Sequence, residues 1–242
     1  MPCTPNTPIV PWMEFTNRSK WEKALPLAKR SIWKKETLLD VADDSARSIF
    51  LIWSGVVKVQ ATSREGVQRA LWLMGPGSIL GEAAMFAHFP LSNYVHQSYA
   101  IEDCVVYEFS KEAVTQKILV RYPDLSEALL SSLATKSYIL STQLEEGIFL
   151  SVTQRLGRFI YGLCLVRNST RLPFSHAVIA ELLGLHRVTV SNAIRVLKHA
   201  RLLEDCPPSI VVSDMDALAT YLAVENKHLS WPDELPASIP NP

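Results

Sequence analysis

The stretch Ser175–Leu203, SHAVIAELLGLHRVTVSNAIRVLKHARLL, decides how the whole chain is read. It spells two helices joined by a tight turn. Ser175 can cap the first helix by accepting from its free N–H groups, and Ile179, Leu182 and Leu183 give it an apolar face at spacings of three and four. Gly184 suits the left-handed conformation such a turn requires, and Leu185 tucks beneath it. In the second helix Val190, Ile194 and Leu197 repeat at helical spacing and pack inward, leaving Arg187, Val188, Ser191, Asn192 and Arg195 outside. A fork donor, a methyl-sized apolar group, a hydroxyl and an amide near a helix N-terminus are what recognition in a DNA major groove needs. Between positions 171 and 203 five basic residues (Arg171, Arg187, Arg195, Lys198, Arg201) stand against one acid (Glu181), a local balance of 5 − 1 = +4. The candidate DNA-contacting set is His186, Arg187, Val188, Thr189, Ser191, Asn192, Arg195 and Lys198.

The rest of the chain makes that local charge meaningful. Over 242 residues, 24 Lys and Arg balance 24 Asp and Glu, so DNA contact must come from a patch and not from overall charge. Four cysteines (Cys3, Cys104, Cys164, Cys206) are scattered, without the pairing or histidine neighbours of a metal site. No signal segment and no apolar run of about 18 residues is present, so a cytoplasmic protein without membrane association is expected. With nine glycines, no phosphate-cradling loop and no paired catalytic constellation, the chain does not read as an enzyme.

Upstream, residues 31–110 are β-like. IFLIWSGVVKVQAT pairs two strand-like runs across Ser54-Gly55, the pattern of a hairpin. RALWLMGPGSILGEAAMF follows, with turns at Gly75-Pro76-Gly77 and Gly81, and YAIEDCVVYEFS closes as one more strand. Short strands at this spacing predict an antiparallel barrel or roll. KEAVTQKILVRY is helical up to Pro123. A long helix then runs to about residue 150, and Leu129, Leu133, Leu140, Leu144 and Ile148 repeat near a 3.5-residue period, a stripe suited to a twin helix in a homodimer. SVTQ is a capping box: Ser151 starts a new helix with Gln154 reaching back, which makes the break a candidate hinge. PPSIVVSD reads as a short hairpin, or wing. The proline-rich ends, MPCTPNTPIVP and WPDELPASIPNP, read as extended tails or packed arms.

In this order the segments resemble the CRP/FNR superfamily of bacterial transcription regulators, the cyclic-AMP receptor and fumarate-nitrate regulator relatives. IFLIWSGVVKV, GPGSILGEAAMF, VTQRLGRFI and GLHRVTVSNAIRVLKHARLL carry the resemblance, over roughly residues 30–222. It implies an α+β fold with an N-terminal antiparallel β-roll (cyclic-nucleotide-binding-like), a long dimerisation helix and a C-terminal winged helix-turn-helix. The divisions expected are an arm at 1–29, the roll at 30–125, the dimer helix at 126–150, the DNA-binding domain at 151–222 and a tail at 223–242. The implied partners are a palindromic double-stranded operator, RNA polymerase and a second copy of the chain. Arg187 stands where relatives use an arginine on phosphate or guanine, and Thr189 and Ser191 at positions of backbone and base contact. Val188 and Asn192 replace a common Glu and Arg. Valine meets a thymine methyl and asparagine suits adenine, so an operator shifted toward A·T is expected there. The wing, EDCPPS, lacks the usual basic residues.

The sensor side departs from the family further. Relatives that bind a cyclic nucleotide hold its phosphate with an Arg-Ser pair after the GE segment, and HFPLSNYVHQSYA contains no arginine. A buried phosphate there would lack a matched charge, which argues against cyclic AMP. Only Cys3 lies where an iron–sulfur regulator clusters its cysteines. No cofactor is expected, with haem on His88 or His96 as the alternative. What remains is a small organic effector, held between roll and long helix by Trp72, Leu73, Gly81, Glu82, Ala83, Tyr94, His96, Ser137, Tyr138 and Ser141, or none, with the aromatics filling a core and activity set by expression level. Trp53 and Tyr99 add aromatic surface nearby, and HRVTVS at 186–191 resembles the branch that answers chlorinated aromatics. A competing reading keeps the fold but has it act through a protein partner without DNA.

Overall fold

The computed structural model describes residues 11–39, 48–64, 68–86, 95–206 and 209–226. The N-terminal half is a roll of two sheets. One has the order β1 (Trp12–Met13), β6 (Gln68–Met74), β5 (Val57–Thr62), β8 (Val95–Ala100), β3 (Leu38–Leu39); the other runs β2 (Lys29–Trp33), β9 (Cys104–Ser110), β4 (Ser48–Ser54), β7 (Ile79–Leu80). A 3₁₀ helix, Thr16–Leu27, packs outside it, burying Trp21 and Ala24 against Ile49, Leu51 and Phe109. The short helix α1 (Glu82–Phe86) follows β7. A π-helical stretch, Ala113–Ile118, runs through α2 (Leu119–Arg121) into the long α3, Pro123–Phe149.

The hairpin expected across Ser54-Gly55 does not form. β4 pairs with β7 and β9 while β5 pairs with β6 and β8, so the two strands belong to opposite sheets. Gly55 makes the crossing at φ +87°, where an added Cβ would lie 2.6 Å from the Asp103 carbonyl oxygen and Cys104 Sγ. Residues 48–52 of β4 are buried on both faces and β5 buries Val57, Val59 and Gln60, and a strand's own burial pattern cannot say which neighbour it takes. YAIEDCVVYEFS is likewise two strands, β8 and β9, turned at 101–103. The roll is also not wholly antiparallel, since β1 joins β6 in parallel, Trp12 opposite Leu73.

The C-terminal part is α4 (Val152–Arg167), β10 (Arg171–Leu172), α5 (His176–Leu183), α6 (Arg187–His199), the hairpin β11 (Leu203–Cys206) and β12 (Ser209–Val212), and α7 (Met215–Asn226). Its core centres on Leu156, Ile160 and Leu163, all fully buried, each contributing about 1.5–3 kcal/mol. A wing hairpin forms, but only its second strand lies in the PPSIVVSD stretch; the first, Leu203–Cys206, precedes it, and the connecting residues 207–208 are outside the described set. Ala70 and Leu73 of β6 join this same core, so roll and DNA-binding part share apolar packing. Lys58 of β5 and Glu181 of α5 form a half-buried ion pair across that junction.

Candidate DNA interface and sensor site

The helix-turn-helix follows its sequence pattern closely. Ser175 Oγ accepts from Val178 N at 3.4 Å, and Gly184 takes φ +63°. Leu185 N donates to Ala180 O at 2.8 Å, folding the turn under α5. The two helices meet at 108°, within the range of DNA-reading pairs. Val190, Ala193, Ile194 and Leu197 are buried in the domain core, and that is what turns the opposite face of α6 outward. On that face Arg187, Asn192, Arg195 and Lys198 are exposed and Val188 is 71% exposed. Thr189 and Ser191 are half-buried, and His186 is the N-cap, exposed and making no side-chain cap bond.

Two bonds organise this face. Arg195 Nη2 donates to Asn192 Oδ1 at 3.1 Å, leaving the amide nitrogen of Asn192 and the second lone pair of its oxygen for a base. Ser191 Oγ lies 3.0 Å from His176 Nδ1 of α5. His176 and His199, which sequence reading missed, line a groove with Ser191, Arg195 and Lys198. Their signal was their position: His176 opens α5 at the mouth of the motif, and His199 lies one turn beyond Arg195.

The capping box forms as its sequence predicts, and the stripe on the long helix takes one correction. Ser151 Oγ accepts from Gln154 N at 3.2 Å while Gln154 Oε1 accepts from Ser151 N at 2.7 Å, a complete capping box. Glu146, near the end of α3, accepts from Arg158 Nε of α4 at 2.6 Å and braces the bend. On α3, Leu140, Leu144 (66% exposed) and Ile148 lie outside and Leu133 is half-buried. Leu129 does not belong with them. It is only 4% exposed, packed with Leu125 against the roll. The helix repeats every 3.6 residues, so the stripe drifts inward at its N-terminal end, where exposed Leu130 takes that place.

The sensor set is reassigned most. The α3 face toward the roll carries Leu125, Leu129, Ser132, Lys136 and Ile139. Ser137, Ser141 and Tyr138 (64% exposed) point away from this chain's own roll. Leu73 turns to the DNA-binding core, Ala83 and His96 are exposed, and Tyr94 and His88 fall outside the described residues. Trp53 instead meets Tyr107 edge-on, and Tyr99 lies under the amine of Lys58. Gly81, at φ +89°, starts the turn that carries Glu82 inward.

What converges inside the roll is Glu82, Trp72, Ser132 and Lys136. Glu82 is fully buried. Its Oε1 meets Lys136 Nζ and accepts from Ser132 Oγ at 3.0 Å. Lys136 also donates to Ile79 O at 2.8 Å and lies 5.7 Å from the centre of the Trp72 ring. Burial pushes its amine below the usual lysine value, against the pull of the Glu82 carboxylate. Glu82 Oε2 and Trp72 Nε1 are buried without a hydrogen-bond partner. A Ser and a Lys four apart in an otherwise apolar helical stripe were the signal for this polar notch.

Comparisons with known proteins agree with this architecture. Residues 30–120 match the cyclic nucleotide-binding domain and residues 154–221 the Crp-like helix-turn-helix domain. The CRP-like cAMP-activated global transcriptional regulator of Mycobacterium tuberculosis is 26% identical over 178 residues, 71% of this chain and 78% of that protein. Among solved structures, the c-di-GMP responsive global regulator CLP of Xanthomonas campestris shares the fold at TM-score 0.70 and 20% identity, over 81% of this chain and 99% of that one. CprK complexed with OCPA does so at TM-score 0.67 and 20% identity, over 86% and 96%. The M. tuberculosis and X. campestris relatives are regulators and not enzymes, and among the described residues no single helix is long and apolar enough to cross a membrane. With both domain models matched in order along one chain, the protein belongs to the CRP/FNR family of DNA-binding transcription regulators.

Proposed function

We propose that the protein acts in the cytoplasm as a homodimer, reads a palindromic operator with α6, and is gated by a small organic effector other than cyclic AMP. The observation that carries this is the two-sidedness of α6: one face is locked into the core, while Arg187, Val188, Asn192, Arg195 and Lys198 stand free of it. One recognition helix reads only a few base pairs, so a second copy one helical turn away, about 34 Å, completes the site. The exposed Leu140, Leu144 and Ile148 of α3 supply a seam for that copy.

The effector reading rests on the interior of the roll. The M. tuberculosis relative is cAMP-activated, CLP is c-di-GMP responsive and CprK is complexed with OCPA, so one fold serves different ligands. In this chain no arginine lies between Met85 and Ile101 to take a phosphate, and the cation facing Glu82 comes from α3 as Lys136. A ligand that changes the seating of α3 on the roll shifts the population of helix pairings, and the capped bend at Ser151 passes that shift to the recognition helices.

Selection of binding sites from random duplex DNA, with and without metabolite extract, tests both parts. A palindrome with A·T facing Val188 and Asn192, enriched only with extract, is the expected result. No enriched motif would overturn the DNA reading and favour a protein partner. A motif equally enriched in both would overturn the gating.

A further inference from the structure

Where the roll meets the DNA-binding part, a cleft opens between β6, α3, α4 and α5. Arg69, Gln143, Glu146, Arg155 and Leu183 are among its lining residues. Arg69 Nη2 donates to Gln143 Oε1 at 3.3 Å, and Arg155 Nη2 donates to Leu183 O at 3.1 Å. Neither guanidinium is in an ion pair among the described residues. Glu146 is near, but its carboxylate is bonded to Arg158. Gln143 Nε2 is buried and has no acceptor. Two cations and an orphan donor thus meet with Glu146 as the facing carboxylate, and that carboxylate is bonded to Arg158 and acts on Arg155 only from a distance.

We propose that this cleft binds an oxyanion, a phosphate group presented by a small molecule, between Arg69, Arg155 and Gln143 Nε2. Guanidinium forks match the oxygens of a phosphate, and an anion there removes the repulsion between them. Burial and the charge of Arg69 already press the Arg155 guanidinium below its usual value. The free volume, about 20 Å³, holds little more than a water molecule, so the anion sits at the open mouth of the cleft. No residue of α6 lines the cleft, so it is separate from the DNA-reading face. It also stands apart from Glu82 and Lys136 inside the roll. An anion bridging these four elements holds roll and helix-turn-helix in one arrangement.

The test is calorimetric titration of the full chain with inorganic phosphate, in a buffer without other oxyanions and without DNA. One phosphate per chain is expected. Arg69→Gln and Gln143→Leu should each weaken it roughly tenfold to a hundredfold, and Arg195→Gln, on the DNA face, should leave it unchanged. Arg69 is exposed, so its variant should melt as the parent does without phosphate. Absence of phosphate binding, or its loss in Arg195→Gln instead, overturns the proposal. So does weaker DNA binding by Arg69→Gln when the free chain takes up no phosphate, which would assign the arginine to the DNA backbone.

Discussion

Lys136, from the middle of the long helix, is bonded to Glu82, from the short helix after β7; the Glu82 side chain is fully buried and that of Lys136 nearly so. The pair fastens α3 to the roll, beside the proposed effector site. Breaking a buried pair from one side strands the other charge. Lys136→Met should therefore destabilise the chain by about 3–5 kcal/mol, and the double variant Glu82→Gln with Lys136→Met by clearly less than the two single changes together. Urea unfolding of the four proteins measures it. Additive losses would mean that the two groups do not act as a pair.

The two faces of α3 call for opposite outcomes. Leu144→Arg puts a charge into the exposed stripe and should turn a dimer into monomers in sedimentation while changing thermal stability of the monomer little. Leu129→Ala empties a site packed against Phe109, Ile118 and Leu125, and should cost about 2–5 kcal/mol without a comparable shift in assembly. If Leu129→Ala dissociates the protein and Leu144→Arg does not, the seam lies elsewhere.

Local signals were the legible ones. Ser151 with Gln154, Ser175, Gly184 and the core face of α6 are each specified within a few residues, because caps, turns and helical stripes are short-range physics. Ser54-Gly55 shows where that stops. A hairpin is the local expectation there, but whether β4 and β5 pair depends on β9 and β8, some fifty residues away. The parallel union of Trp12 with Leu73 was invisible for the same reason. In the sensor, Glu82 was found by its motif, while its partner Lys136 was hidden by the expectation that a lysine on a helix faces water. Ser137, Tyr138 and Ser141 were placed one face away from the inward stripe.

The proposed reading of DNA by α6 separates base contacts from backbone contacts. Val188→Glu with Asn192→Arg restores the residue types that accept from cytosine and fork onto guanine, and should move the selected half-site toward G·C at those two positions. Arg187→Ala should cost about 1–3 kcal/mol on the best operator. Lys198→Ala should weaken all sequences alike and lower the salt slope by about one. A Lys198→Ala protein with altered sequence preference would contradict a backbone role.

The capping box at Ser151 carries the bend between α3 and α4. Ser151→Ala removes the bond to Gln154 N and should cost about 1 kcal/mol. It should also loosen the coupling between effector and operator, read as a smaller ratio of DNA affinities with and without extract. An unchanged ratio would show that the brace between Glu146 and Arg158 holds the bend by itself.

Cys104 and Cys164 are both shielded, and burial pushes their thiols up to about 11. At Cys104 the nearby Glu102 carboxylate adds to that effect, although its Sγ also donates to Glu102 O at 3.2 Å. The thiolate is the reactive form. Native protein at pH 8 should therefore take up iodoacetamide at half-buried Cys206 well before either of these, as read by mass spectrometry of the digested chain. The sign for stability follows from the same shift. The unfolded chain loses these protons near pH 9 and the folded one near pH 11, so the folded state binds more protons in between and stability should fall as pH rises through that window. Cys104→Ala with Cys164→Ala should flatten that fall. Equal labelling of Cys104, Cys164 and Cys206 in the native protein at pH 8 would show that the two buried sites open to solvent far more readily than their packing allows.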